Sequence, residues 1–146
     1  MEQRVTLVTL AVRDMDAARR FYVEGLGWDP ILDVAGEVIF LQIGHGFALS
    51  LWDADEMAKE AGSLMSGDGA PPVAFAHNVG SADEVDAVLD QAVAAGATLI
   101  TAGQSREWGG YSGYFSDPEG YRWEVAHNAG LAIGEDGRIE IGPVPS

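Results

Sequence analysis

Val5-Thr6-Leu7-Val8-Thr9-Leu10-Ala11-Val12, running through Arg13-Asp14 into a segment that carries Phe21-Tyr22 and Leu26-Gly27, is the stretch on which the fold turns. Val8, Leu10 and Val12 fall on one face of an extended chain and Leu7, Thr9 and Ala11 on the other, which reads as a strand with a small-residue second face. Asp14 follows as an N-cap, Ala18, Phe21, Tyr22 and Leu26 recur at helical spacing, and Gly27 stands where a left-handed stop belongs. Three short strands are expected next, over residues 28–34, 37–43 and 47–52, separated by the turns Ala35-Gly36 and Gly44-His45-Gly46. The order is β-α-β-β-β.

Residues 53–72, rich in Gly, Ala, Ser, Asp and Pro, read as a linker with a helical turn or two around residues 54–62. The first pattern then returns. A strand over residues 73–79 leads to Ser81 and Glu84, spaced as a capping box, and to Val85, Val88, Leu89 and Ala92 on one helical face before Gly96. Setting Asp14 on Ser81 overlays Ala18 on Val85, Phe21 on Val88 and Tyr22 on Leu89, so the repeat is one of structure rather than of text. Strands over residues 98–102, 111–116 and 121–127 complete it, with Asp117-Pro118-Glu119-Gly120 as a tight turn, and residues 131–141 alternate around Asp136-Gly137 as an extra hairpin. The expected organisation is one domain over residues 1–146, built from modules at 4–53 and 73–128, a linker at 54–72 and a C-terminal hairpin and tail at 129–146.

Composition bounds what such a chain can do. Its 146 residues are 47% hydrophobic, enough for a packed core, while the apolar runs are too short and too broken for a membrane span. No charged leader followed by a long apolar stretch opens the chain, so the expected location is the cytoplasm. With no cysteine there is no disulfide, thiolate nucleophile or Cys-built metal site. Eight Lys and Arg against 23 Asp and Glu give a net charge of −15, a field that repels nucleic acid and anionic lipid and leaves small molecules as the expected partners.

Paired βαβββ modules, the Val12-Arg13-Asp14 entry to a helix bearing Phe21-Tyr22 and Leu26-Gly27, Ala95-Gly96-Ala97, and Asp117-Pro118-Glu119-Gly120-Tyr121-Arg122-Trp123-Glu124 together resemble the vicinal oxygen chelate superfamily. That is the glyoxalase, bleomycin-resistance and extradiol-dioxygenase group. The resemblance covers about residues 4–128 and implies an α+β fold in which two modules curl into half-open, barrel-like sheets around a cup. It also implies a homodimer, and in metal-dependent members four ligand positions. Carried onto this sequence, those positions fall at or beside Leu7, near Ser50, at Val73 or Ala74, and at Glu124, of which only Glu124 is a ligand residue. No metal and no other cofactor is therefore expected.

The remaining candidates come from the residues themselves. His45 reads as a turn residue and His127, three past Glu124, as a residue of the opposite sheet face. His77, with neighbouring Asn78, has two open readings: it satisfies a polar bond inside the cup as a structural histidine, or it reaches into the cup as an alternative to Glu124 for the general base. Arg122 and Glu124 share a strand face opposite Tyr121, Trp123 and Val125, the aromatic face being assigned to the helix side, so the pair is either an internal ion pair or a ligand anchor. Trp108, Tyr111 and Tyr114, interleaved with Gly109, Gly110 and Gly113, form either a ligand wall or a glycine-closed barrel corner, with Trp52 of the first module as a facing wall. The expected function is a metal-independent binder of a planar or cationic small molecule, sequestering a drug or metabolite. The alternative is a lyase, isomerase or oxidoreductase that uses Glu124, with or without a relocated metal.

Overall fold

The computed structural model describes residues 1, 3, 5–67 and 69–141, and the last residues of the expected C-terminal tail lie outside the described residues. The chain forms two compact units, one spanning Met1–Gly69 and the other starting at Ala70.

In the first unit β1 (Leu7–Val12) leads into α1 (Met15–Arg19), then β2 (Pro30–Val34), β3 (Val38–Gly44), β4 (Phe47–Asp53) and α2 (Ala54–Ala61). The strands lie in the order β1-β4-β3-β2, with β1 parallel to β4 and the other neighbours antiparallel. Asp14 is the N-cap: its Oδ1 accepts the Ala17 N–H at 2.8 Å. Alternation buries Leu10 and Val12 with Ile39, Leu41, Leu49 and Leu51, and Ala18, Phe21 and Tyr22 of the helix are buried to 1% exposure. One feature departs from the expected helix. Beyond Arg19 the chain widens into a π-helix over Arg20–Gly25, closed by a Leu26 N–H to Phe21 C=O bond of 2.8 Å, before Gly27 takes a φ of 72°.

The second unit repeats the plan with β5 (Ala74–Asn78), α3 (Ala82–Ala94), β6 (Thr98–Ser105), β7 (Tyr111–Ser116) and β8 (Arg122–His127), in the order β5-β8-β7-β6 with β5 parallel to β8. Ser81 Oγ accepts the Glu84 N–H at 3.2 Å, and the Glu84 carboxylate reaches back to the Gly80 N–H at 2.6 Å, one residue earlier than a strict capping box. The Asp117 carboxylate fastens the β7–β8 turn by accepting from Glu119 N–H at 3.0 Å and Tyr121 N–H at 2.9 Å. β9 (Leu131–Ile133) and β10 (Ile139–Ile141) pair as the expected antiparallel hairpin. The fold is α+β, two four-stranded mixed sheets each carrying a helix.

Candidate functional site

The two faces of the second sheet are chemically different, and register says which residue lies where. Phe75, Trp123 and Phe115 are cross-strand neighbours on one face, with Phe115 stacked on Trp123 at 6.2 Å and Phe75 at 5.0 Å from it. This is the face under α3, since a Cβ on Gly113 would come within 2.5 Å of Leu89 Cδ1, and Val85, Leu89 and Ala92 of the helix are buried. The assignment of Trp123 to the helix side holds.

The other face carries three rows across β5, β8 and β7: Ala74, Arg122 and Ser116; Ala76, Glu124 and Tyr114; Asn78, Ala126 and Ser112. Here the Tyr114 hydroxyl donates to Glu124 Oε1 at 2.8 Å. Burial, and next the hydrogen bond to and charge of Glu124, push the Tyr114 phenol above its ordinary value, while Arg106 opposes the shift. Tyr114 therefore stays protonated and acts as a donor. An open cavity of about 370 Å³ lies beside this row, lined by Ala76, Asn78, Trp108, Glu124, Ala126 and Asn128.

Three of the expected site residues, Glu124, Tyr114 and Trp108, thus come together. Trp108 is 54% exposed, with its ring laid over Gly110 so closely that a Cβ there would collide with it. Arg122 shares the face, and its guanidinium donates to the Gly120 carbonyl at 3.2 Å while Glu124 pairs with Tyr114, so of the two readings of Arg122 and Glu124 the internal ion pair is not formed. Tyr111 is not on this face. Three residues from Tyr114 on the same strand, it points to α3, where its hydroxyl donates to the Asp86 carboxylate at 3.1 Å. His77 is not there either: it pairs in register with Val125 on the face of Phe75 and Trp123, and it is exposed. The expectation that His77 reaches into the cup as a candidate general base is corrected accordingly, because β5 presents its even-numbered residues to the site. Trp52 belongs to the first unit, half-buried between Ala11 and Val38 on the face that also carries Thr9, Ser50 and Phe40. His45 is exposed in its turn, and His127 Nδ1 lies 3.2 Å from the Val79 carbonyl.

Sequence reading passed over Arg106 and Asn128, and took Asn78 only as a neighbour of His77. Arg106 sits at the end of β6, donates from Nε to Ser112 Oγ at 2.9 Å and from Nη2 to the Ser112 carbonyl at 3.0 Å, and stands 6.0 Å from the centre of the Tyr114 ring. Its signal was faint, a lone cation six residues before a serine that only a bent hairpin brings close.

The donor set does not fit a divalent metal. Register puts Ala76 and Tyr114 beside Glu124, and Thr9 and Phe40 beside Ser50, so Ala76 rather than Val73 or Ala74 is the neighbour of Glu124. Among the described residues no three His, Asp or Glu side chains gather to hold an ion.

Comparison with known proteins places this geometry in context. The model of the "Glyoxalase/Bleomycin resistance protein/Dioxygenase superfamily" matches residues 4–125. A glyoxalase-related enzyme from Fulvimarina pelagi is 35% identical, with a TM-score of 0.88 over 97% of this chain and 100% of that one. A glyoxalase/bleomycin resistance protein/dioxygenase from Nocardioides is 25% identical, with a TM-score of 0.73 over 87% and 84% of the two chains. A lactoylglutathione lyase from Agrobacterium tumefaciens, 24% identical with a TM-score of 0.66 over 88% and 96%, is similar in fold alone. No curated protein matches the chain. Among the described residues no helix is long and apolar enough to cross a membrane.

Proposed function

Because the chain belongs to the glyoxalase/bleomycin resistance protein/dioxygenase superfamily, we propose that it binds a planar or cationic small molecule, without a metal, in the cavity around Glu124. One observation carries this reading: among the described residues, the sole ionisable group lining the cavity is a carboxylate, and a half-exposed indole ring lines the same cavity. A carboxylate attracts positive charge and N–H donors, an indole face attracts flat or cationic groups, and a chain of net charge −15 strengthens both preferences. Sequestration of a drug or metabolite is the activity such a site performs with no further chemistry. Tryptophan quenching by a planar aromatic cation, its neutral isostere and its anionic isostere tests this, with Trp108→Phe to identify the reporting ring. Binding should follow the order cation, neutral, anion and weaken in Glu124→Gln; equal binding of the anion overturns the proposal.

A second reading is favoured by the Tyr114 hydrogen bond. A carboxylate with one oxygen fixed and the other open is arranged as a general base, and the Fulvimarina pelagi relative is described as an enzyme. In that case Glu124→Gln loses turnover of a substrate whose binding is largely kept.

A further inference from the structure

The polar groups around the cavity are of three kinds. Glu124, when ionised, only accepts: Oε1 takes the Tyr114 hydroxyl, and Oε2 takes no hydrogen bond from a described residue. Asn128 is the reverse, because its Oδ1 accepts the Gly130 N–H at 2.9 Å and the end left without a partner is the NH2 donor. The Asn78 side chain, with no hydrogen-bond partner among the described residues, offers one donor group and one acceptor. The apolar part is the methyl groups of Ala76 and Ala126 on neighbouring strands together with the Trp108 ring.

We infer that the cavity takes a planar heteroaromatic ring whose edge carries both N–H donors and a ring carbonyl, the aminopyrimidinone class to which guanine belongs, in a form without phosphate. This rests on the reading above that the cavity binds a planar small molecule, and it names the class. The ring N–H and exocyclic amino group meet the acceptor-only Glu124, the ring carbonyl meets the Asn128 amide, and Asn78 meets either, while the ring face lies against Trp108. A donor-only cation such as an amidinium satisfies Glu124 and leaves the Asn128 NH2 to water, so it makes one hydrogen bond fewer than the ring does. A phosphate has no counterpart, since among the described residues no Lys or Arg lines the cavity and the net charge of −15 repels it.

The test titrates guanosine, inosine, guanosine monophosphate and benzamidine against the wild type, Glu124→Gln and Asn128→Asp, following Trp108 fluorescence. Asn128→Asp keeps the oxygen that holds Gly130 and replaces the donor with a second acceptor. Guanosine should weaken about tenfold or more in both variants, the size of one lost hydrogen bond with a polar group left facing its like. Inosine, which lacks the amino group, should bind less tightly than guanosine, and benzamidine should be unharmed or tightened by Asn128→Asp. Benzamidine binding through Glu124 while guanosine binds no better and ignores Asn128→Asp overturns the inference and leaves the planar-cation reading standing. Absence of binding by all four overturns both. Guanosine monophosphate binding as tightly as guanosine overturns the exclusion of phosphate.

Discussion

Tyr114 and Glu124 face one another across β7 and β8 as register partners, and the phenol hydroxyl donates to the carboxylate at 2.8 Å. The pairing fixes one oxygen of Glu124 and leaves the other open toward the cavity. One position earlier on β8, Trp123 points the opposite way into the layer beneath α3.

That opposition separates binding from stability within two adjacent residues. Trp123→Ala is expected to destabilise the protein by about 3–5 kcal/mol, as truncation of a buried aromatic does. Glu124→Gln keeps an oxygen for Tyr114, so its denaturation midpoint should stay near wild type while ligand binding changes. Parallel denaturant melts and ligand titrations of the two variants check this. A stable Trp123→Ala with altered binding, paired with a Glu124→Gln that changes only stability, would reverse the assignment of faces.

The tyrosine side of the pair makes a prediction at alkaline pH. Burial first, then the bond to Glu124, raises the Tyr114 phenol above its ordinary 10.0. A group held protonated in the folded state contributes stability that is fully present below the unfolded pKa and is lost as pH rises through the folded one. Stability should therefore decline above about pH 10, where the unfolded chain's tyrosines ionise first. Tyr114→Phe should flatten part of that decline, and a tyrosinate absorbance titration should lose a late-ionising phenol.

Gly110 seats the Trp108 ring, and any Cβ at that position collides with it. Gly110→Ala is expected to lower affinity as Trp108→Ala does, with the two effects overlapping instead of adding, because both remove the same wall. A double-mutant cycle on ligand binding measures this, and full additivity would show that Gly110 acts by another route.

Elemental analysis of the purified protein after mild dialysis should find no stoichiometric zinc, nickel, iron or manganese. Glu124 is flanked by Ala76 and Tyr114, and one carboxylate falls short of the roughly three protein ligands that hold a catalytic ion. Near one metal per chain would contradict this.

A homodimer is expected in solution, because β2 and β6, two of the four strands at the ends of the four-stranded sheets, expose Ile31, Leu32 and Val34, and Leu99 and Ile100. Sedimentation should give about twice the 15.4 kDa of one chain; a single-chain mass at micromolar concentration would dispose of it.

Much of the fold was legible because caps and alternation are local. Asp14, Ser81 with Glu84, and the Asp117 turn each declare an element boundary through a side chain that satisfies nearby backbone. The π-helical turn after Arg19 was not legible, since the spacing of Phe21, Tyr22 and Leu26 suits a helix while the choice of a five-residue backbone bond leaves no mark in residue type. Parity alone separates Tyr111 from Tyr114, and Gly113 between them, with Gly109 and Gly110 just before, masked it. For His77 parity was clear, but which parity faces α3 is settled only by the contact of Phe75 with Trp123. Arg106 and Asn128 became visible only when hairpin bends and strand register brought them to Glu124's face.

In each unit the two strands that pair in parallel are the first and last of their module, so Thr9 must find Ser50 and Ala76 must find Glu124. Neither sheet can close by zipping from a turn; each waits for the far end of its module to be made. Such distant contacts raise contact order and slow folding. During synthesis β1 leaves the ribosome with its hydrogen-bonding edge bare until β4 follows, and in that interval the bare edge is open to mispairing.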